Sequence, residues 1–266
     1  MNLWTSPIAN FLTYLRAGGA PDSTCRTRRE HLSLLATALG GDPWSVTGQQ
    51  LIGYFASLTV AQETRRGRRT TYRAFYSWAA NSGLVTGNPA LAIPVIAATH
   101  PNPRPVPDRV YKLALLGATR RVRLMIRLAA ELGMRRAEVA VVHSNDLIED
   151  LDGWSLVVHG KGGKVRVLPM PDSLAAELCL MPPGFTFPGA DEGHLSPRWV
   201  GRLVADALPE GWTMHKLRHR FATKAYRHRR DLFTVQELLG HASPATTRAY
   251  VEIDRARMRE TVEAVA

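Results

Sequence analysis

The chain has 266 residues, 45% of them apolar and 21% charged, which excludes a disordered polymer and is long enough for two modest cores. Its 34 Lys and Arg against 23 Asp and Glu leave a net charge of +11, an excess that favours a polyanion as partner through counterion release and long-range attraction. Cys25 and Cys179 stand far apart without metal-ligand spacing, the N-terminus lacks a basic region followed by an apolar block, and no apolar run approaches the ~20 residues of a bilayer span. The expected setting is therefore a reducing cytoplasm, with no membrane partner.

In chain order, residues 6–17 open with Ser6-Pro7, a cap followed by proline at the first helical position, and then run amphipathic. Residues 23–39 and 47–58 repeat the 3.6-residue period on either side of "GGDPW". The next segment carries Arg65, Arg66, Arg68, Arg69 and Arg73 among and ahead of Tyr72, Phe75, Tyr76 and Trp78. The aromatics suit a core-facing stripe, while the arginines are expected to project from the helix start. Cations there oppose the helix dipole, so something other than helix stability keeps them, and a phosphate backbone is the candidate. A merely solvated basic face is the alternative.

Residues 97–108 place four prolines within seven positions, which reads as an extended linker. The expected division is thus 1–96, an all-helical domain; 97–108, the linker; and 109–266, a second domain mixing helix and strand. In that second part "RVRLMIRLAAELGM" reads as a helix ending at Gly133, and "WSLVVHGKGGKVRVLPM" as a hairpin turning at Gly-Lys-Gly-Gly-Lys. Helices follow at about 172–180, 196–208, 215–229, 233–239 and 244–262.

The stretch "HKLRH" sets His215 and Arg218 three apart, on one helical face. His215 and His219 have metal-ligand spacing, but Lys216 stands where a glutamate would be needed and no carboxylate or thiol completes a site, so no metal is expected. In "LLGHASPATTRAY", Gly240 can end one helix while Ser243 and Pro244 open the next, leaving His241 in the connection. Tyr250, by its own spacing, reads as a packed amphipathic-helix residue with a buried ring.

Residues 215–250, "HKLRH…LLGHAS…TTRAY", resemble the C-terminal signature of the tyrosine recombinases, the phage integrase and Xer-like family: H-x-x-R, then L-G-H, then Tyr nine residues on. "LGMRRAEV" is similar to that family's first arginine box, and "HGKGGKVRVLPM" to its lysine-bearing hairpin. "TTYRAFYSWAANSGLVTGNPA" looks like the exit of its core-binding domain, so the likeness runs from about residue 6 onward. It implies an all-α, SAM-like core-binding domain followed by a mixed α/β, mainly helical catalytic domain with a small β-hairpin sheet. The chemistry implied is cleavage and rejoining of DNA through a 3′-phosphotyrosine, with no cofactor.

Carried over residue by residue, the resemblance makes Tyr250 the nucleophile and Arg135 and Arg218 the clamps on the non-bridging phosphate oxygens. His241 is a further donor, His215 the general base, and Glu138 a support that orients a catalytic group. Rigid, permanently charged guanidinium forks suit a phosphodiester, whose charge must be neutralised as the bond breaks. The hairpin offers two lysines for protonating the departing 5′-oxygen. The alignment favours Lys161 and leaves Lys164 to a phosphate, with the opposite choice still open. The implied partners are double-stranded DNA bearing attachment-type core sites, three further copies in a homotetramer, and an excision or host accessory factor.

The pattern is most like a short phage integrase without an arm-binding domain, so integration and excision of a phage or mobile-element genome is the expected role. A Xer-like resolvase of chromosome or plasmid dimers is the alternative, and a catalytically inactive DNA-binding module a more distant one. The segment after Tyr250 could pack in trans on a neighbouring protomer or in cis.

Overall fold

In a computed structural model, the description covers residues 3–98, 104–160, 162–240 and 262. The chain divides into two compact units, Met1–His100 and Pro101–Ala266.

The first unit is helical: α1 (Thr5–Ala17), α2 (Asp22–Leu39), α3 (Gly48–Ser57) and α4 (Gln62–Asn81), with short 3-10 turns at Pro43–Ser45 and Pro89–Ala92. Helix α1 begins one residue before the expected Ser-Pro start, with Trp4 at the N-cap and no side-chain cap, so Ser6 and Pro7 lie in its first turn. Proline is tolerated there because those N–H groups have no intrahelical acceptor. Helix α3 starts with a reciprocal capping box: the Gln50 amide donates to the Thr47 hydroxyl (3.3 Å) and the Thr47 amide to the Gln50 side chain (2.8 Å). Tyr72, Phe75, Tyr76 and Ala79 are buried along α4, and the three aromatics share a core with Phe11, Leu32, Leu51 and Phe55 of the other helices. Phe75 stacks on Trp44 at 5.7 Å and meets Phe11 edge-on at 5.4 Å.

The second unit contains α5 (Asp108–Gly117), α6 (Arg120–Glu131), α7 (Arg136–Ala140), a three-stranded antiparallel sheet of β1 (Leu147–Asp150), β2 (Gly153–His159) and β3 (Val165–Pro169), α8 (Asp172–Cys179), a short β4 (Pro188–Asp191), α9 (Pro197–Ala207), α10 (Met214–Arg229) and α11 (Leu232–Leu239). The fold class is thus all-α followed by a mainly helical α/β unit. The sheet order is β1-β2-β3, with Leu147 opposite Leu156 and Leu156 opposite Leu168. Leu156, Val158 and Leu168 turn one face of it into a core shared with Leu124, Leu128, Val200, Val204 and Leu217. Helix α6 packs along α10, and α7 against α9, which brings the start of α7 beside the start of α10.

Helix α6 ends at Glu131, two residues before the expected stop at Gly133, whose φ of +65° turns the chain. Helix α11 ends on Gly240 in the left-handed conformation, as its position predicts. The expected helix 244–262, including the Ser243 cap, lies outside the described residues except at position 262. No described helix is long and apolar enough to cross a membrane.

Candidate active site

The turn from α6 into α7 builds the centre of the site. A Cβ on Gly133 would lie 2.4 Å from Phe221 Cδ1, and its φ is positive, so only glycine fits between α6 and α10. Arg135 then becomes the N-cap of α7, and Glu138, at the third helical position, caps back onto it: the Arg135 amide donates to Oε2 at 2.8 Å and Arg135 Nη1 to Oε1 at 2.7 Å. A carboxylate at a helix N-terminus is also favoured by the dipole.

Glu138 is buried, with its side chain only 2% exposed, and a second guanidinium closes on it. Arg166 Nη1 and Nη2 donate to Oε1 and Oε2 at 3.0 and 2.8 Å, a bidentate fork. Arg218 Nη1 stands 3.8 Å from Oε2. Burial alone would push the Glu138 carboxyl up, but the hydrogen bonds of Arg166 and of the Arg135 amide, with the adjacent charges, hold it below the usual carboxylate range.

Arg218, on the first turns of α10, is almost fully buried. It donates to the Gly133 carbonyl, and its Nη2 to the Leu239 carbonyl at 2.6 Å. It thereby ties the α6–α7 turn to the last turn of α11. His215 lies one turn earlier on α10, and its ring packs against that of His219 with centroids 4.3 Å apart. Partial burial, then the charges of Arg218 and Arg135, lower the His215 pKa from its ordinary value, which favours the neutral imidazole. Burial beside His215 and Arg218 pushes His219 down to about 4. Lys216 points elsewhere: its Nζ donates to the Gly211 carbonyl (2.6 Å) and sits over the Trp212 ring.

These groups open into a cavity of about 620 Å³ lined by Arg135, Arg136, Arg198, Arg202, His215 and Arg218, with no carboxylate among the described lining residues. Such a surface suits a phosphate: fixed cations and an imidazole, with Glu138 saturated by hydrogen bonds behind Arg135. Among the described residues no three His, Cys, Asp or Glu side chains cluster as metal ligands.

Arg135, Glu138, His215 and Arg218, read separately from the sequence, thus meet in one place. Lys161, His241 and Tyr250 lie outside the described residues. Lys164 is exposed at the hairpin turn, where its carbonyl accepts from the Gly160 amide at 2.6 Å. The arginines of α4 do not simply project from the helix start; all five are half-buried. Arg65 donates to the Leu58 carbonyl, Arg66 pairs with Glu63 at 2.9 Å, Arg68 Nη1 reaches the Tyr54 hydroxyl at 3.2 Å and Arg69 Nε the Ile93 carbonyl at 3.1 Å. The contacts of Arg65, Arg68 and Arg69 fasten the segments before and after α4, a structural reason for arginine at those three positions, while the Arg66 pair stays within the helix.

Sequence reading missed Arg166, and a signal for it existed. On β3 the usual alternation is inverted: Val165 and Val167 are 58% and 56% exposed, while Arg166 shares the inward face with Leu168. An arginine where a strand should bury an apolar side chain marks an internal partner. Arg198 and Arg202, four apart on α9, were also missed.

The sequence profile of the phage integrase family matches residues 184–257. Tyrosine recombinase XerC of Methylobacterium nodulans is 32% identical over 285 aligned residues, covering 97% of this chain and 83% of that protein. XerC of Mesorhizobium japonicum is 41% identical over 145 residues, 49% of this chain and 46% of that protein, so this match spans less than half of its relative. Among solved structures, the integrase from mycobacterium phage Brujita is 28% identical with a TM-score of 0.50, covering 91% of this chain and 86% of that one. A lambda integrase dimer bound to a COC′ core site reaches a TM-score of 0.75 at 18% identity, with 92% and 76% covered, a likeness of fold.

Proposed function

This chain belongs to the tyrosine recombinase family, whose members are site-specific DNA recombinases, and on that premise we propose that it cleaves and rejoins duplex DNA through a 3′-phosphotyrosine intermediate. The observation that carries the reading is the pocket that Arg135, His215 and Arg218 line together, with Glu138 saturated behind them.

In the proposed reaction the two guanidiniums bind the non-bridging oxygens of the scissile phosphate and neutralise charge as it builds. Neutral His215 accepts the phenolic proton of Tyr250, whose oxygen attacks phosphorus while the bond to the 5′-oxygen breaks. Lys161 supplies that oxygen with a proton, and His241 adds a hydrogen bond to the phosphate. The phosphodiester energy stays in the phosphotyrosyl bond, and a 5′-hydroxyl from a second strand reverses the step. Arg65, Arg66, Arg68, Arg69, Arg73 and Lys164 are proposed backbone contacts, with affinity falling steeply with salt. The proposed partition is 1–96 for core binding, 97–108 for the linker and 109–266 for catalysis. Four copies on two sites form the proposed working unit in the cytoplasm, with an excision or host accessory factor as a proposed further partner.

Two biological roles each have an observation in their favour. The XerC relative aligned over 97% of the chain favours resolution of chromosome or plasmid dimers. The phage integrase profile and the likeness to a mycobacteriophage integrase favour integration and excision of a mobile element. Capture of covalent adducts tells them apart. Protein is mixed with fragmented host and element DNA in EDTA, stopped with SDS, and the attached DNA sequenced. Adducts at a replication-terminus site support the resolvase, and a host locus paired with an element sequence supports the integrase. DNA binding without any adduct overturns the enzymatic reading.

A further inference from the structure

Arg166 touches no face of the cavity, yet it makes three hydrogen bonds of unusual placement. Its fork covers both oxygens of Glu138 at 3.0 and 2.8 Å, and its Nε donates to the Leu238 carbonyl at 3.0 Å. The neighbouring carbonyl, that of Leu239, is held by Arg218 at 2.6 Å. Two arginines therefore satisfy consecutive carbonyls at the C-terminal, negative end of α11, one arriving from the hairpin and one from α10.

A carboxylate offers about four lone-pair sites. In Glu138 they are filled by the Arg135 amide, Arg135 Nη1 and the two Arg166 nitrogens. Arg218 Nη1, at 3.8 Å from Oε2, is the next guanidinium in line. Were the Arg166 fork absent, half of a buried carboxylate would lose its donors, and the nearest cation able to replace them is one that lines the cavity. In a low-dielectric interior that attraction is strong. Arg166 and Glu138 pair as a neutral unit, so the acid exerts little further pull on Arg218, which stays 3.8 Å from it.

We propose that Arg166 is a positioning residue for strand cleavage: by occupying both oxygens of Glu138 and the Leu238 carbonyl, it keeps Arg218 in its place at the cavity wall instead of drawn onto the acid that already holds Arg135. The inference rests on the strand-cleavage reading above. Lysine cannot do the same work, since one ammonium cannot span two carboxylate oxygens and a carbonyl in a plane.

The test compares wild type with Arg166→Lys and Arg166→Gln on two nicked duplexes that trap the cleaved state. One carries an ordinary scissile phosphate, the other a methylphosphonate, in which the charged oxygen the arginines serve is replaced by a methyl group. Duplex affinity and melting temperature are measured alongside, and cleavage is followed below each variant's melting range. Both variants are expected to bind duplex within about threefold of wild type and to cleave the ordinary duplex ~100-fold more slowly, the scale of an ångström-sized misplacement. On the methylphosphonate the gap to wild type should close to within about tenfold, because less charge has to be met. Wild-type rates on the ordinary duplex, or an equal loss on both substrates, would overturn the positioning role. A wild type that cleaves neither substrate would instead overturn the strand-cleavage reading itself.

Discussion

Replacing Glu138 with glutamine changes one atom's chemistry in the most connected buried acid of the second unit. The side chain is 2% exposed and accepts four hydrogen bonds from Arg135 and Arg166 at 2.7–3.0 Å, with Arg218 at 3.8 Å. Glutamine keeps the shape, but its NH₂ meets donors on one side and its charge is gone, leaving three guanidiniums without their shared counterion. Removing one partner of a buried ion pair costs about 3–5 kcal/mol. For a unit of this size that lowers the melting temperature by roughly 10 °C. The pH dependence carries a definite sign. Because the arginines hold the folded-state pKa below its unfolded value, the stabilisation is complete above the ordinary carboxylate range and is lost as pH falls through the lowered folded value. The gap between wild type and Glu138→Gln should therefore be widest near pH 7 and shrink below about pH 4. Scanning calorimetry at both pH values reads it directly. A variant that melts within about 2 °C of wild type at pH 7, or a gap that stays constant into acid, would refute the idea that this carboxylate organises the arginines.

Three further outcomes are expected. Gly133→Ala combines a left-handed φ with a Cβ 2.4 Å from Phe221, so strain and overpacking together should cost about 3 kcal/mol in urea denaturation; an alanine variant of unchanged midpoint would contradict the packing described. His219 has a pKa lowered to about 4, so between pH 6.5 and 4 the unfolded chain takes up a proton that the folded ring refuses, and stability falls as pH falls. From pH 7 to 5 that loss is about 2 kcal/mol, and His219→Gln should remove it from the urea midpoints. Thr47→Ala breaks the capping box of α3 and should cost about 1 kcal/mol, measured by the same method.

Long amphipathic segments were readable in advance because their periodicity is a direct consequence of burying one face: α2, α9 and α10 lie within a residue or so of their expected spans. Several short elements were not, although α8, α11 and the β2–β3 hairpin were. Helix α5 follows a proline run that reads as loop, and α7 has five residues, too few to show a period. Strands β1 and β4 have four residues each and expose most of them, so their sequences lack an apolar alternation. In the site, Arg135, Glu138, His215 and Arg218 were legible because phosphate chemistry restricts the residue types that can serve it. Arg166 was hidden because its partner is 28 positions away in sequence, and only the fold reveals that a strand arginine faces a buried acid. The α4 arginines carry the opposite lesson: a basic run that looks like a surface for DNA also fastens its own unit, through Arg65, Arg68 and Arg69.

The central claim, that this chain breaks DNA by making a phosphotyrosine, is tested most directly by peptide mapping of the covalent complex. Wild-type protein and Tyr250→Phe are incubated in EDTA with a nicked duplex containing a captured site, and trapped material is digested and analysed by mass spectrometry. A nucleotide attached through the oxygen of Tyr250 is expected in the wild type, and no adduct in the Phe variant although it still binds the duplex. An adduct that survives Tyr250→Phe, or one that maps to another side chain, would contradict the claim.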